Sequence, residues 1–226
     1  MKIRKLFGNK RNFFPQKFNI YLGISLGNKW FTKENLEQYL KWALANTKDK
    51  VLVLIADKIQ AINYEIRDKR SYEASLKKSQ RRGKEIKEEI NSIINKFSSE
   101  EQEKIVILDW ETYEKKDSFY KEYTPLIYKE FETNLHFKEE VLELTKKSIK
   151  DREFGENKYL KLANYFLEEF TSLYSGIFYE GIYYGFYIYP KKFLSLDFIY
   201  EIQSKRIFPE LSKKLTKEKV LMAVVN

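Results

Sequence analysis

Val51-Leu52-Val53-Leu54-Ile55-Ala56 is a continuous apolar run bounded by Lys50 and Asp57. Strands buried on both faces read this way in parallel sheets, where helices cover either side. Upstream, Phe18-Asn19-Ile20-Tyr21-Leu22-Gly23-Ile24-Ser25-Leu26 is β-branched and aromatic, and Gly23 and Gly27 punctuate its end, so it reads as a strand running into a loop. Downstream, Ile105-Val106-Ile107-Leu108-Asp109-Trp110 is a third short apolar run. Between the first two lie Thr32, suited to cap a helix, and Leu36, Tyr39, Leu40, Ala43 and Leu44 at helical spacing. A long charged helix over residues 71–97 separates the second from the third. Strand–helix–strand–helix–strand is the βαβ pattern and predicts an α/β protein with a mostly parallel sheet flanked by helices. Ligands of such sheets sit at the carboxyl ends of the strands, which makes residues 23–28 a site candidate by position alone.

Outward from this centre the pattern is less regular. Residues 1–17 carry Gly8 and Pro15 and read as an irregular lead-in. Helices are expected over residues 126–150, 158–174 and 192–205, a strand over 183–188 and a last strand over 220–225. The 226 residues form one expected domain, 1–226, with 43% hydrophobic and 33% charged residues, a folded composition.

Cysteine is absent, which excludes disulfides, thiol nucleophiles and cysteine-held zinc or iron–sulfur centres. His136 is the one histidine, so a multi-histidine metal site is excluded; neither metal nor cofactor is expected. The longest apolar runs fall short of the ~18–20 residues of a membrane span. The run over residues 18–26 contains Asn19 and lacks a cleavage signature, so a cytoplasmic protein is expected. Lys and Arg number 42 against 33 Asp and Glu, a net charge of +9. That balance favours a polyanionic partner, nucleic acid ahead of a membrane surface, with a lysine-rich solvated surface as the competing explanation. A monomer is the default expectation, with a dimer left open.

Three constellations could carry chemistry. In Gly23-Ile24-Ser25-Leu26-Gly27-Asn28 a serine between two glycines follows a strand, a setting that exposes a nucleophilic hydroxyl near backbone N–H groups. The stretch Gly23-x-Ser25-x-Gly27 also satisfies the serine-hydrolase expression, but a hydrolase would need His136, which lies far downstream in a predicted helix; a glycine-bounded structural loop is the plainer alternative. Residues 67–87 hold nine cations against three carboxylates. Arg70, Lys77, Arg81 and Lys84 follow helical spacing, so they form a stripe suited to a phosphate backbone, or a solvated helix face. Tyr165 and Glu169 stand four apart on a predicted helix, among Phe166, Phe170 and Leu173. A carboxylate there is partly desolvated and able to hold an ammonium or move protons, unless it simply faces solvent.

Taken in order along the chain, these pieces resemble the tRNA-dependent cyclodipeptide synthases. The Gly23-x-Ser25-x-x-Asn28 element with Trp30-Phe31-Thr32 behind it, the Tyr165/Glu169 pair, the later Tyr189 and the basic helix between the second and third predicted strands match that family's pattern in order and spacing. The resemblance implies a single Rossmann-like domain similar to the catalytic domain of class I tyrosyl- and tryptophanyl-tRNA synthetases. It implies two aminoacyl-tRNAs as substrates, a cyclic dipeptide as product, and no ATP, because the aminoacyl ester is already activated. By resemblance Ser25 is the nucleophile that carries an aminoacyl and then a dipeptidyl group, the second aminoacyl-tRNA supplying its amine. Tyr165 and Glu169 hold the α-amino group, Tyr189 positions the acyl-enzyme and assists proton movement, and Gly23 and Asn28 belong to the substrate pocket. Lys77, Lys78, Arg81, Arg82, Lys84 and Lys87 bind tRNA. Asn28 occurs here together with Tyr189-Pro190, whereas in the family asparagine at that position usually accompanies histidine after the tyrosine, so the amino acids joined stay open. A non-catalytic RNA-binding module with a synthetase-like fold is the alternative.

Overall fold

The computed structural model describes residues 1–8, 13–149, 154–191, 193–215 and 220–226. Its centre is the expected parallel sheet. Strands β2 (Asn19–Ile24), β3 (Val51–Ile55) and β4 (Ile105–Asp109) pair parallel in that order. On the other side of β2 lie β6 (Ile182–Tyr189) and β7 (Leu221–Val225), also parallel, and β1 (Ile3–Phe7) closes that edge antiparallel to β7. A short β5 (Ile177–Tyr179) forms an antiparallel hairpin with β6, turning through Glu180 and Gly181 at positive φ. The chain therefore builds one way from β2 to β4 and later the other way from β6 to β7. The reversal falls between β2 and β6, which are neighbours. In open parallel sheets that reversal opens a crevice at the carboxyl ends, where ligands bind.

Alternation along the strands sends side chains to two cores. Ile20, Leu22, Ile24, Val51, Val53 and Ile55 face α1 (Lys33–Asn46) and α3 (Tyr72–Ile94). Tyr21, Leu52, Leu54 and Tyr187 face the other side. There they meet α5 (Trp110–Lys116), α6 (Ser118–Thr133), α7 (Leu135–Ser148), α8 (Glu156–Ser175), α9 (Leu194–Gln203) and α10 (Pro209–Lys214). All five residues of β3 are buried, as its uninterrupted apolar run requires. Thr32 caps α1 as expected, its hydroxyl accepting from the Asn35 N–H at 3.4 Å.

Several expectations are corrected. Residues 3–7 are not irregular but form an edge strand, because β7 supplies a partner from the far end of the chain. The helix expected from residue 126 onward is two helices: Asn134 leaves helical geometry and its side chain caps α7 by accepting from the Phe137 N–H at 3.2 Å. Gly23 lies inside β2, opposite Leu54, rather than at its end. Helix α2 (Asp57–Asp68) and the short α4 (Ser99–Glu103) were not anticipated. Arg70 falls in the link between α2 and α3, so it does not share a helical stripe with Lys77, Arg81 and Lys84. Lys150 and Lys192, end residues of two expected helices, and residues 9–12 of the expected lead-in lie outside the described residues. Among the described residues no helix is long and apolar enough to cross a membrane.

Candidate active site

Ser25 is the first residue past β2, and Tyr189 is the last of β6. The two strands are neighbours, so Ser25 and Tyr189 face each other across the crevice where the strand order reverses. The loop after β2 is a tight turn in which the Asn28 N–H donates to the Ser25 carbonyl at 3.1 Å. The Asn28 side chain is then held from both ends: its Oδ1 accepts from the Trp30 N–H at 3.0 Å, and its Nδ2 donates to the Tyr189 hydroxyl at 3.1 Å. Inside β2, a Cβ on Gly23 would come within 2.8 Å of the Tyr187 hydroxyl. Glycine there lets the Tyr187 ring come close to the strand, tilted against Tyr21 and stacked on Tyr189.

The third wall is α8. Tyr165 and Glu169, one turn apart, point to the crevice, while Phe170 and Leu173 on the same helix point into the core. Together with Ser25, Asn28, Tyr187 and Tyr189 they line a cavity of about 450 Å³. Gln60 and Asn63 of α2 and Thr145 and Ser148 of α7 line its outer part. A smaller recess of about 20 Å³ lies behind Ser25, walled by Tyr21, Gly23, Trp110 and Leu173.

The electrostatics follow from depth. The Glu169 carboxyl is pushed up to about 7 by burial, offset only by the hydrogen bond from Tyr165. Burial also raises the Tyr165 phenol well above its ordinary value, with the Glu169 carboxylate adding to it. Burial brings the Tyr189 phenol to about 12, although the Asn28 amide and the Ser25 hydroxyl both lower it. The Ser25 hydroxyl lies near enough to both phenols to lower each of them. At neutral pH the Ser25 hydroxyl, the neutral phenols of Tyr165, Tyr187 and Tyr189, and a carboxyl balanced between its two protonation states thus meet in the crevice.

The expected site residues Ser25, Asn28, Tyr165, Glu169 and Tyr189 come together; Gly23 acts beneath them as a packing position. Tyr187 lies inside the strand expected over residues 183–188 with no signal of its own, although strand alternation puts residues 187 and 189 on one face. His136 is exposed on α7 and its ring packs at a tilt against Phe208. It stands roughly two turns from the α7 residues that line the cavity, so the hydrolase alternative has no histidine at the serine.

The basic stripe stands beside this crevice. Helix α2 runs outward from the carboxyl end of β3 and α3 returns along it. Gly83 meets Asp57 so closely that a Cβ would lie 2.5 Å from the Asp57 Cβ. The first three turns of α3 therefore flank α2 at the cavity end of the sheet. Lys77, Arg81, Arg82 and Lys84 are exposed; Lys78 and Lys87 are half-buried. Lys78 pairs with Asp68 at 2.7 Å and lies over the Tyr64 ring, and Arg82 pairs with Glu85 at 2.9 Å.

Comparison with known proteins agrees with this layout. A cyclodipeptide synthase from Bacillus thermoamylovorans superposes with a TM-score of 0.73 at 19% identity, covering 94% of this chain and 91% of that one. A Mycobacterium tuberculosis protein, whose structure demonstrates that cyclodipeptide synthetases are related to type I tRNA synthetases, gives 0.66 at 14% identity over 79% and 76%. The cyclodipeptide synthase of Candidatus Glomeribacter gigasporarum bound to Phe-tRNAPhe gives 0.59 at 14% identity over 92% and 87%. At these identities the likeness is one of fold, an α/β sheet of the synthetase-related kind. A search of curated protein sequences finds no match. The family model described as cyclodipeptide synthase matches residues 8–169, a segment that begins before Ser25 and ends on Glu169, and on that match the chain belongs to the cyclodipeptide synthase family.

Proposed function

We propose that this protein makes a cyclic dipeptide from two aminoacyl-tRNAs through esters on Ser25. The observation that carries the proposal is the convergence of Ser25, Tyr165, Glu169 and Tyr189 on one cavity at the reversal of the strand order. In the first step Ser25 Oγ bonds to the aminoacyl carbonyl carbon and the bond to the tRNA ribose oxygen breaks; the serine proton ends on that oxygen. Because their phenols are raised, Tyr165 and Tyr189 act as hydrogen-bond donors rather than bases. The incoming α-ammonium meets Glu169 and Tyr165, and a carboxyl titrating near neutrality can both hold that ammonium and take its proton.

Atom balance corrects the direction of the second step. Attack on the serine ester by the amine of the second aminoacyl-tRNA would leave a dipeptidyl-tRNA and a free enzyme. A dipeptidyl-enzyme requires the reverse: the amine of the Ser25-bound residue, freed by Glu169, attacks the second aminoacyl ester and releases the second tRNA. The new terminal amine then attacks the Ser25 ester, closes the six-membered ring and returns the proton to Ser25 Oγ. Ring closure is intramolecular, so proximity supplies much of its rate. The α3 stripe, Lys77, Lys78, Arg81, Arg82, Lys84 and Lys87, engages tRNA phosphates. Its ion pairs are surface pairs worth about 0–1 kcal/mol and exchange readily for phosphate.

Expression in a bacterium followed by a search of the medium for diketopiperazines tests the proposal. A cyclic dipeptide that appears with the wild type and not with Ser25→Ala supports it; equal levels from both sink it. The alternative, an RNA-binding module without chemistry, predicts tRNA binding with no product from either.

A further inference from the structure

Two glutamates follow one another on α8, and successive helical residues point about 100° apart. Glu169 faces the cavity. Glu168 faces a junction of α2, α5, α6 and α8. Its Oε1 accepts from the Tyr128 hydroxyl at 2.7 Å and its Oε2 accepts from the Tyr120 hydroxyl. Both phenols belong to α6, roughly two turns apart, so one helix grips the carboxylate from both sides. Burial raises both phenols, and Glu168 raises them further, so both remain donors across the neutral range. From α2, Lys58 pairs with Glu114 at 2.5 Å and lies in the field of Glu168. Further along the same flank of α8, Lys161 pairs with Glu65 of α2 at 2.7 Å.

None of Glu168, Tyr120 and Tyr128 lines the cavity. If these helices needed only to cohere, well-packed apolar side chains would serve as well as a half-buried carboxylate and two phenols. What the carboxylate adds is direction, since two fixed donors admit one orientation. A rotation of α8 by about 10° carries a carboxylate about 6 Å from the axis through about 1 Å, and a misplacement of that size can cost about 10²-fold in rate.

We propose that Glu168 is a positioning residue: clamped between Tyr120 and Tyr128, it sets the rotation of α8 and thereby aims Tyr165 and Glu169 at Ser25. The inference rests on the reading of Tyr165 and Glu169 as the groups that hold the α-amino group.

The test follows covalent loading of Ser25 in single-turnover reactions, with total bacterial aminoacyl-tRNA as donor and intact mass as readout. Glu168→Leu is compared with Glu168→Gln, with Tyr120→Phe/Tyr128→Phe, and with Ile93→Val. Ile93 is buried on α3 against the opposite face of the sheet, and its variant reports the effect of lost stability alone. Glu168→Leu slows loading at saturating donor by about 10- to 100-fold, while the half-saturating concentration stays within about twofold. Glu168→Gln, whose amide oxygen still accepts from a phenol, stays within about threefold of wild type. Ile93→Val loads at the wild-type rate despite a lower Tm. If Glu168→Leu fails to fold, the double phenylalanine variant, which leaves the carboxylate without donors, is read in its place. The clamp is overturned if Glu168→Leu loads like wild type, if its loss only tracks Tm as in Ile93→Val, or if Gln is as slow as Leu. A Glu169→Gln variant separates the two readings: full loading by that variant removes the role of Glu169, whereas its failure beside wild-type loading by Glu168→Leu removes only the clamp. A wild type that never loads Ser25 removes both.

Discussion

Helix α3 and the crevice between β2 and β6 carry charge in opposite ways. On α3, long cationic side chains stand in water, several paired with neighbours such as Glu85 and Asp68. Their strength is collective, long-ranged and screened by salt. In the crevice a single carboxyl, Glu169, is half-buried and lifted to about 7. Its strength is local, since low dielectric magnifies each contact. The contrast assigns affinity for a large polyanion to the surface and the handling of one amine and one ester to the interior. Changes in the crevice should therefore remove chemistry and leave binding, and changes on α3 should do the reverse.

The sharpest break in that division would come from Ser25. Ser25→Ala should lower cyclic-dipeptide formation by about 10³-fold or more, as loss of a nucleophile does, while a filter-binding assay shows tRNA affinity unchanged. Product at the wild-type level would remove the nucleophile assignment.

Glu169→Gln comes next. It should slow acyl-enzyme formation by about 10²-fold, in line with losing a positioned acid–base group. In the wild type the rate should fall on acidification with a half-point near 7, because the carboxyl titrates there; the variant should lack that limb. The same carboxyl costs stability. Its folded value lies above the ordinary 4.5, so the folded state favours the protonated form. The cost is absent below about pH 4.5, grows as pH rises to about 7 and is constant above. Thermal melts at pH 8 should find Glu169→Gln more stable by about 1–3 kcal/mol, with the difference gone at pH 4. A less stable variant at pH 8 would contradict the buried-charge account.

Arg81→Glu with Arg82→Glu probes the surface side. Apparent tRNA affinity should drop by about tenfold or more at low salt, and the gap should narrow as salt rises. A drop in rate at saturating tRNA with affinity intact would blur the division. The smallest effect is expected at Asn28. Asn28→Ala loses the bonds to both the Tyr189 hydroxyl and the Trp30 N–H; only the first bears on the reacting groups and is worth about 1 kcal/mol, so turnover should fall by about fivefold with tRNA affinity unchanged.

How much of this was legible in the sequence depends on range. The apolar run of β3 and the alternating β2 are local signals, and they placed the sheet. Ser25 and Asn28 were legible because they lie three residues apart just past β2, and Tyr165 and Glu169 because one helical turn separates them. The strand at residues 3–7 was not legible, since it exists through pairing with residues 222–225 at the opposite end of the chain. Asn134 was hidden as a helix boundary because apolar spacing runs through it, and only its cap geometry ends α6. Tyr187 and the junction around Glu168 depend on which residue faces which across separate elements. Glu168 and Glu169 look alike in sequence, and only the partners on α6 make one a clamp and the other a pocket residue.

The central claim is that Ser25 transiently carries an amino acid taken from tRNA. Intact-mass analysis of the protein quenched in acid after brief mixing with total aminoacyl-tRNA tests it most directly. The account predicts a mass increase equal to an aminoacyl residue, mapping by fragmentation to Ser25 and absent from Ser25→Ala. Cyclic dipeptide formed with no such adduct at any quench time, or an adduct that persists in Ser25→Ala, would contradict it.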